Sequence, residues 1–387
     1  MTKKIAVITG TRAEYGILEP IVKKIVADKE LELQLYVTGM HLSKEYGDTV
    51  KQIEYKIAEK IDMKIKERNE DIDMAISVSE GVKGFANAFK KRKPDLVIVL
   101  GDRIEAFAAA VSAHLLNIPI AHIHGGDLTF SIFDEGMRHA ITKLAHIHFA
   151  ATEKSKKRIL QMGEEPWRVF NVGAPGIDAI LESKITSKQE ICKKLRLGPN
   201  KKIALVLYHP VTTEWETAGT EMVSILRAME NFDGQVIIIG SNADAGSYKI
   251  KDEMNRLKNK KNCHLFNSLG HADFLSLMKN CDVMVGNSSS GIIEAPSLGV
   301  SVINVGPRQE GRERAKNVID VPCDEVHIRK AVEKAINDSK FIETAKKCES
   351  PYGNGHASEK IMKTIKGIDL ANKKLIQKRF IEIGVDD

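Results

Sequence analysis

The chain predicts an α/β protein of two Rossmann-like, doubly wound domains facing a cleft. Short β-rich apolar runs alternate with longer helical patterns throughout, which implies parallel sheets with helices on both faces. Runs such as Leu96-Val97-Ile98-Val99-Leu100 are apolar without a break, as strands buried on both faces must be. At 387 residues the chain is too long for one typical core and suits two.

In the first half, strands are expected at 5–9, 33–37, 96–100, 118–124, 147–151 and 169–172. The first is reached straight from Met1-Thr2-Lys3-Lys4 and stops at Gly10. The third stops at Gly101, and the fourth runs into Gly125-Gly126. In the second half they are expected at 203–208, 236–240, 264–267, 283–286, 301–305 and 318–321, with His209-Pro210, Gly240 and Gly286 as stops. Between the two sets, 181–201 turns polar and lysine-rich. The expected division is a first domain over 1–182 and a second over 183–366. A C-terminal helix within 367–387 would then pack back on the first domain, after the turn Pro351-Tyr352-Gly353-Asn354-Gly355.

Composition is that of an ordinary globular protein, with 43% hydrophobic and 28% charged residues and a net charge of +6. Aromatic residues make up 5% and do not interleave with basic ones, which argues against nucleic-acid binding. The basic run Lys90-Lys91-Arg92-Lys93 reads as a solvated helix end. Five scattered cysteines without a Cys-x-x-Cys pair point to a reducing compartment and no structural zinc. No signal peptide or membrane span is apparent, so a cytoplasmic location is expected. A homodimer or homotetramer is the default expectation.

Chemistry concentrates just beyond the strands, where open parallel sheets bind ligands. The sharpest stretch is Gly286-Asn287-Ser288-Ser289-Ser290-Gly291-Ile292-Ile293-Glu294. A strand stops there and a helix is expected to start, so three hydroxyls and unpaired N–H groups suit a diphosphate. An ordinary serine cap needs only one hydroxyl. Glu294, about one and a half turns on, suits a ribose diol. The second half adds His209, Gly240-Ser241-Asn242 and the arginines Arg308, Arg312 and Arg314, a set for a nucleoside diphosphate. The first half supplies carboxylates instead: Asp102, Asp127, Asp134 and Glu135, with His122 and His124. That set suits acid–base work on an uncharged sugar. The bland reading of Asp134 with Arg138 is an i,i+4 ion pair on a helix surface, and that of the two histidines is a satisfied core position.

Several classes fail on spacing. Gly10 to Gly16 is not the dinucleotide fingerprint, and no phosphate loop of the Gly-x-x-x-x-Gly-Lys type or Gly-x-Ser-x-Gly elbow occurs. His122 and His124 lack a partner cluster for a metal. No cofactor and no metal are expected.

Together these residues resemble the UDP-N-acetylglucosamine 2-epimerase family, and more narrowly its hydrolysing branch. The resemblance runs from Gly10-Thr11-Arg12-Ala13-Glu14-Tyr15-Gly16 to Pro351-Tyr352-Gly353-Asn354-Gly355. Its most specific pieces are Gly101-Asp102-Arg103, Asp134-Glu135-Gly136-Met137-Arg138-His139, Gly286-Asn287-Ser288-Ser289-Ser290-Gly291 and Arg308-Gln309-Glu310-Gly311-Arg312. The resemblance implies a GT-B-like fold and a catalytic set of Asp102 and Asp134. It also implies a nucleotide set of Arg12, Arg103, His209, Ser288, Ser289, Glu294 and Arg308, to which position adds Asn242, Ser290 and Gly291. Arg138 faces the catalytic side. Where some members carry a Glu in His-Ile-Glu-Gly-Gly, this chain has His124, so the acid–base role there passes to His124 or to Asp127. Gly16-Ile17 stand where non-hydrolysing relatives carry a lysine. The implied reaction converts UDP-N-acetylglucosamine and water to N-acetylmannosamine and UDP, feeding sialic or related nonulosonic acid synthesis. A GDP-sugar or a 4- or 6-substituted UDP-sugar remains open. So do a non-hydrolysing epimerase, a glycosyltransferase of the same fold and a non-catalytic nucleotide-sugar sensor, because fold alone decides none of them.

Overall fold

The computed structural model describes residues 2–130, 133–257 and 260–382. Seven strands build the first sheet: β1 (Lys3–Thr9), β2 (Leu31–Thr38), β3 (Ile57–Ile61), β4 (Leu96–Leu100), β5 (Ile120–Ile123), β6 (Ile147–Ala150) and β7 (Val169–Asn171). Their order is β3-β2-β1-β4-β5-β6-β7, and every pair is parallel. Six build the second: β8 (Ile203–Leu207), β9 (Gln235–Ile239), β10 (Cys263–Phe266), β11 (Val283–Gly286), β12 (Val302–Val305) and β13 (Val318–Val321). Their order is β10-β9-β8-β11-β12-β13, again parallel throughout.

The alternation of a strand sends neighbouring side chains to opposite faces, and both faces of each sheet are covered. Ile5 and Val7 join one core with Leu18, Ile21 and Ile25, while Ala6 and Ile8 join another with Phe85 and Phe89. The second sheet is sandwiched in the same way. The strand missing from the sequence expectation is β3. Its Ile57-Ala58-Glu59-Lys60-Ile61 lies at the sheet edge, where charged side chains keep water contact and break the apolar run.

The return to the first domain comes earlier than residue 366. Ala357, Ile361, Met362 and Ile365 belong to the same core as β1, as does Leu375. The helix Ala357–Gly367 is capped by buried Asp178, whose oxygens accept from Ala357 N (3.0 Å) and Ser358 N (2.6 Å). Beyond it, Arg168 donates to the Leu375 (2.7 Å) and Lys374 (2.8 Å) carbonyls, and Lys378 reaches buried Glu164 at 2.6 Å. The last five residues of the expected C-terminal segment lie outside the described residues. Among the described residues no helix is long and apolar enough to cross a membrane.

Candidate active site between the two sheets

Each sheet has one point where its strand order reverses, between β1 and β4 and between β8 and β11. Loops diverge there and leave a crevice at the carboxyl ends of the strands. The two crevices face each other. Two adjoining cavities fill the space between, of about 180 and 150 Å³.

The larger cavity is lined by Thr11 and Arg12 from the first domain and by His209, Asn242, Ser288, Ser289, Ser290, Glu294 and Arg308 from the second. Gly286 has a φ of +140°, and a Cβ there would lie 2.0 Å from the Leu207 carbonyl oxygen, so only glycine lets β11 turn into the serine loop. Asn287 ties this loop to β8: His209 N donates to its side-chain oxygen (2.7 Å), and its amide donates to His209 O (2.8 Å). The loop does not enter one long helix, as the sequence suggested. A single turn, Ser290–Ile293, is followed by Ala295–Leu298, with Glu294 at the junction. Pro296 lacks the N–H a continuous helix would need. Glu294 is buried, and burial lifts its carboxyl to about 7. Gly291 packs against Val302 rather than opening on the cavity.

His209 is buried, and desolvation with nearby Arg308 pulls its pKa to about 3. Its Nδ1 faces the Ser241 hydroxyl (3.0 Å) and accepts from Asn242 N (3.4 Å). The neutral ring therefore carries its proton on Nε2 and is a donor. Burial likewise lowers Arg12 to about 10, which still leaves a cation at neutral pH. A wall made by Ile239, Leu269, Phe274 and Leu275, with Asn267 and Ser268 at its edge, closes the far end. No motif marked this wall. It is assembled from β9, the loop after β10 and the helix His271–Asn280.

The smaller cavity is lined by Asp102, Arg103, His124, Asp134 and Arg138, and it shares Asn242, Ser289 and Arg308 with the larger. Asp134 begins the helix Asp134–Leu144 and is 8% exposed. Among the described residues no ion pair holds its carboxylate. Burial, then the nearby charge of Asp244, raises it to about 7. The surface pair with Arg138 is not formed. Arg138 is buried and turns the other way, pairing with Asp102 and Glu135 and donating to Asp127 O (3.0 Å) and Thr129 Oγ1 (2.9 Å). It clamps Asp102 from the wall of the smaller cavity.

His124 adopts the left-handed conformation at φ +63°. Its Nδ1 sits 2.9 Å from Asp127 Oδ2, and Asp127 Oδ1 accepts from Ser155 Oγ at 2.7 Å. Burial alone would raise Asp127, but His124, Arg312 and Ser155 outweigh it and hold the carboxyl below the usual range. Asp127 thus lies behind His124, and the histidine is the member that reaches the cavity. His122 is a core histidine, bonded to Gly101 O at 2.7 Å.

Three expected residues stand elsewhere. Arg103 is not on the larger cavity; it is buried between Glu105 (3.2 Å) and Asp244 (3.1 Å). Arg314 pairs with Asp320 outside the cleft, and Arg312 lines the smaller cavity instead, where it bonds Leu128 O of the first domain (2.9 Å). Sequence reasoning missed Asp244 because its partner is 141 positions away and no local motif joins them. Among the described residues no cluster of three or more His, Cys, Asp or Glu has the arrangement of a metal site.

A family profile described as UDP-N-acetylglucosamine 2-epimerase matches residues 23–366. A protein of Legionella pneumophila named UDP-N,N'-diacetylbacillosamine 2-epimerase (hydrolyzing) is 38% identical, over 97% of this chain and 98% of its own. Polysialic acid biosynthesis protein P7 of Escherichia coli is 36% identical over 98% of both. The crystal structure of a UDP-GlcNAc 2-epimerase from Neisseria meningitidis, bound to UDP-GlcNAc, superposes with a TM-score of 0.79 at 25% identity, over 94% of this chain and 99% of that one.

Proposed function

The chain belongs to the UDP-N-acetylglucosamine 2-epimerase family, and from that premise we propose that it is a hydrolysing member, converting UDP-N-acetylglucosamine and water to N-acetylmannosamine and UDP. The observation that carries the reading is the division of the cleft. One cavity offers hydroxyls, a neutral histidine donor and arginines, while the adjoining one brings Asp134 and His124 from different elements into reach of one sugar.

The C2 proton of a sugar is hard to remove until the diphosphate begins to leave C1. Ser288, Ser289, His209 Nε2, Arg12 and Arg308 take up the charge growing on that diphosphate. The C1–O bond breaks with its electron pair on UDP. Asp134 accepts the C2 proton, and a C1=C2 double bond forms. Asp102, paired with Arg138, faces the positive character at C1. Water then adds at C1 and gives up a proton to Asp102, while His124 delivers its own proton to C2 from the other face. That last step inverts C2.

Incubation in deuterated water, read by proton NMR, tests the reading. N-acetylmannosamine and UDP should appear together, with solvent deuterium at C2. Product carrying protium at C2 overturns the elimination route, and product retained as UDP-sugar overturns hydrolysis. The name of the Legionella relative favours a second reading, in which the sugar carries a further acetamido group. The same incubation with UDP-N,N'-diacetylbacillosamine decides between them by kcat/KM. Removing one hydroxyl from the diphosphate loop should be felt directly in UDP binding. Ser289→Ala is expected to weaken UDP by about 1.5–3 kcal/mol, roughly 10- to 150-fold, in calorimetry. Unchanged affinity would put the diphosphate elsewhere.

A further inference from the structure

One segment of the second domain is seated in the first. In the loop after β9, Ala245 packs into the core that holds Ile61, Met63 and Met74. Buried Asn69 of the first domain grips this loop from both sides, donating to Ala243 O (2.7 Å) and accepting from Gly246 N (3.3 Å). Just beyond it, Lys251 pairs with Glu45 and lies 3.6 Å from Glu67. Between Ala243 and Ala245, Asp244 turns inward and is 4% exposed. Its Oδ1 meets Arg103 Nη1 at 3.1 Å, and Arg103 Nε meets Glu105 Oε2 at 3.2 Å. A first-domain guanidinium is thus shared between a carboxylate of its own domain and one of the other.

We propose that loop 243–247 is the clasp holding the two domains closed, and that Asp244 is its positioning residue, fixing Arg103 beside the reacting carboxylates so that proton transfer at Asp134 is set up only in the closed state. The assignment of Asp134 rests on the function proposed above; the clasp itself does not. Asp244 touches no cavity and acts through its neighbours. Arg103, Arg308 and His209 face it, and Asp134 is in turn faced by Asp244, Arg308, Arg103 and Glu105. When the domains separate, Asp244 leaves with its domain. Arg103 then keeps only Glu105 as its ion-pair partner, and Asp134 loses Asp244, the negative neighbour that favours its proton, together with the Arg308 cation that opposes it.

Asp244→Asn tests this in two ways. Small-angle scattering of the ligand-free protein should show a larger radius of gyration for the variant than for the wild type; an unchanged radius overturns the clasp. This measurement needs no substrate, so it separates failure of the clasp from failure of the proposed activity. In turnover of UDP-N-acetylglucosamine, kcat should fall at least 30-fold while Kd for UDP stays within threefold. The limb of the kcat profile that reports Asp134 should move to lower pH, because a negative neighbour has gone. A fall in kcat with the limb unmoved overturns the coupling to Asp134, and so does a UDP loss as large as the kcat loss. Asp244→Glu, which keeps the charge, should recover part of the rate. Should Asp244→Asn not fold, Arg103→Lys is read by the same measurements.

Discussion

Asp134→Asn should lower kcat by roughly 10²–10⁴ while UDP binds as before and the protein loses no stability. The three parts of that expectation come from one fact, the burial of a carboxylate without an ion-pair partner. In the smaller cavity, burial and Asp244 hold Asp134 near 7, where it exchanges a proton readily at neutral pH. An amide of the same shape cannot take that proton. The diphosphate groups are on other elements, so calorimetry with UDP should give an unchanged Kd. Stability follows from linkage. The folded-state pKa lies above the unfolded value of 3.8, so the folded state binds more protons between about pH 4 and 7. Stability therefore falls as pH rises through that window, and ionised Asp134 is a liability at pH 8. Its amide should leave Tm at pH 8 equal or higher. Sites that give up stability for function have this signature. In the wild type, a base that must be ionised predicts that kcat/KM falls as pH drops below about 7. Near-normal turnover in Asp134→Asn would return the residue to a bystander on its helix.

The architecture was legible because burial on both faces writes itself into a parallel strand. Twelve strands announce themselves as short β-rich apolar runs, and seven of the ends in the two halves carry a glycine or polar residue. The edge strand β3 did not, since Glu59 and Lys60 answer to water rather than to the core. The residues beyond the strand ends were legible for the same reason, as polar groups in a place where a strand has just delivered them to a crevice. What sequence could not resolve was direction. Arg138 sits at i+4 from Asp134, yet its guanidinium goes to Asp102, Glu135 and the Asp127 carbonyl. A helix fixes which residues share a face, not which partner a long side chain chooses. The family resemblance implies a place for Arg103 with the nucleotide. Its real neighbours, Glu105 and Asp244, come from its own helix and from the other domain. The choice between His124 and Asp127 was open on spacing alone, because they are three positions apart along a loop rather than along a regular element.

That last choice has a measurable consequence. His124→Gln should reduce N-acetylmannosamine formation by about 10²–10³-fold, the range expected for losing a positioned proton donor, yet reduce UDP release by less. His124 has a left-handed backbone, uncommon for residues other than glycine and tolerated best by Asn, Asp and His. It aims the ring across the loop, so that Nδ1 meets Asp127 while the other edge reaches the cavity. Asp127 is itself fixed by Ser155, whose helix Glu153–Gln161 is capped by Thr152. A histidine held by a carboxylate at Nδ1 presents Nε2 as its working atom. In the proposed reaction, however, elimination is assigned to Asp134 and the diphosphate groups. Losing His124 then strands the chain of events after UDP has left, and the glycal intermediate should accumulate, visible in proton NMR as a vinylic signal at C1. Asp127→Asn should give a milder version, because the ring remains but its orientation is less well held. Asp134→Asn should slow UDP release as much as sugar formation, with no glycal accumulating. If His124→Gln slowed UDP release and sugar formation in equal measure, with no glycal seen, the histidine would belong to the elimination step, and the two faces of the sugar would have to be exchanged between His124 and Asp134.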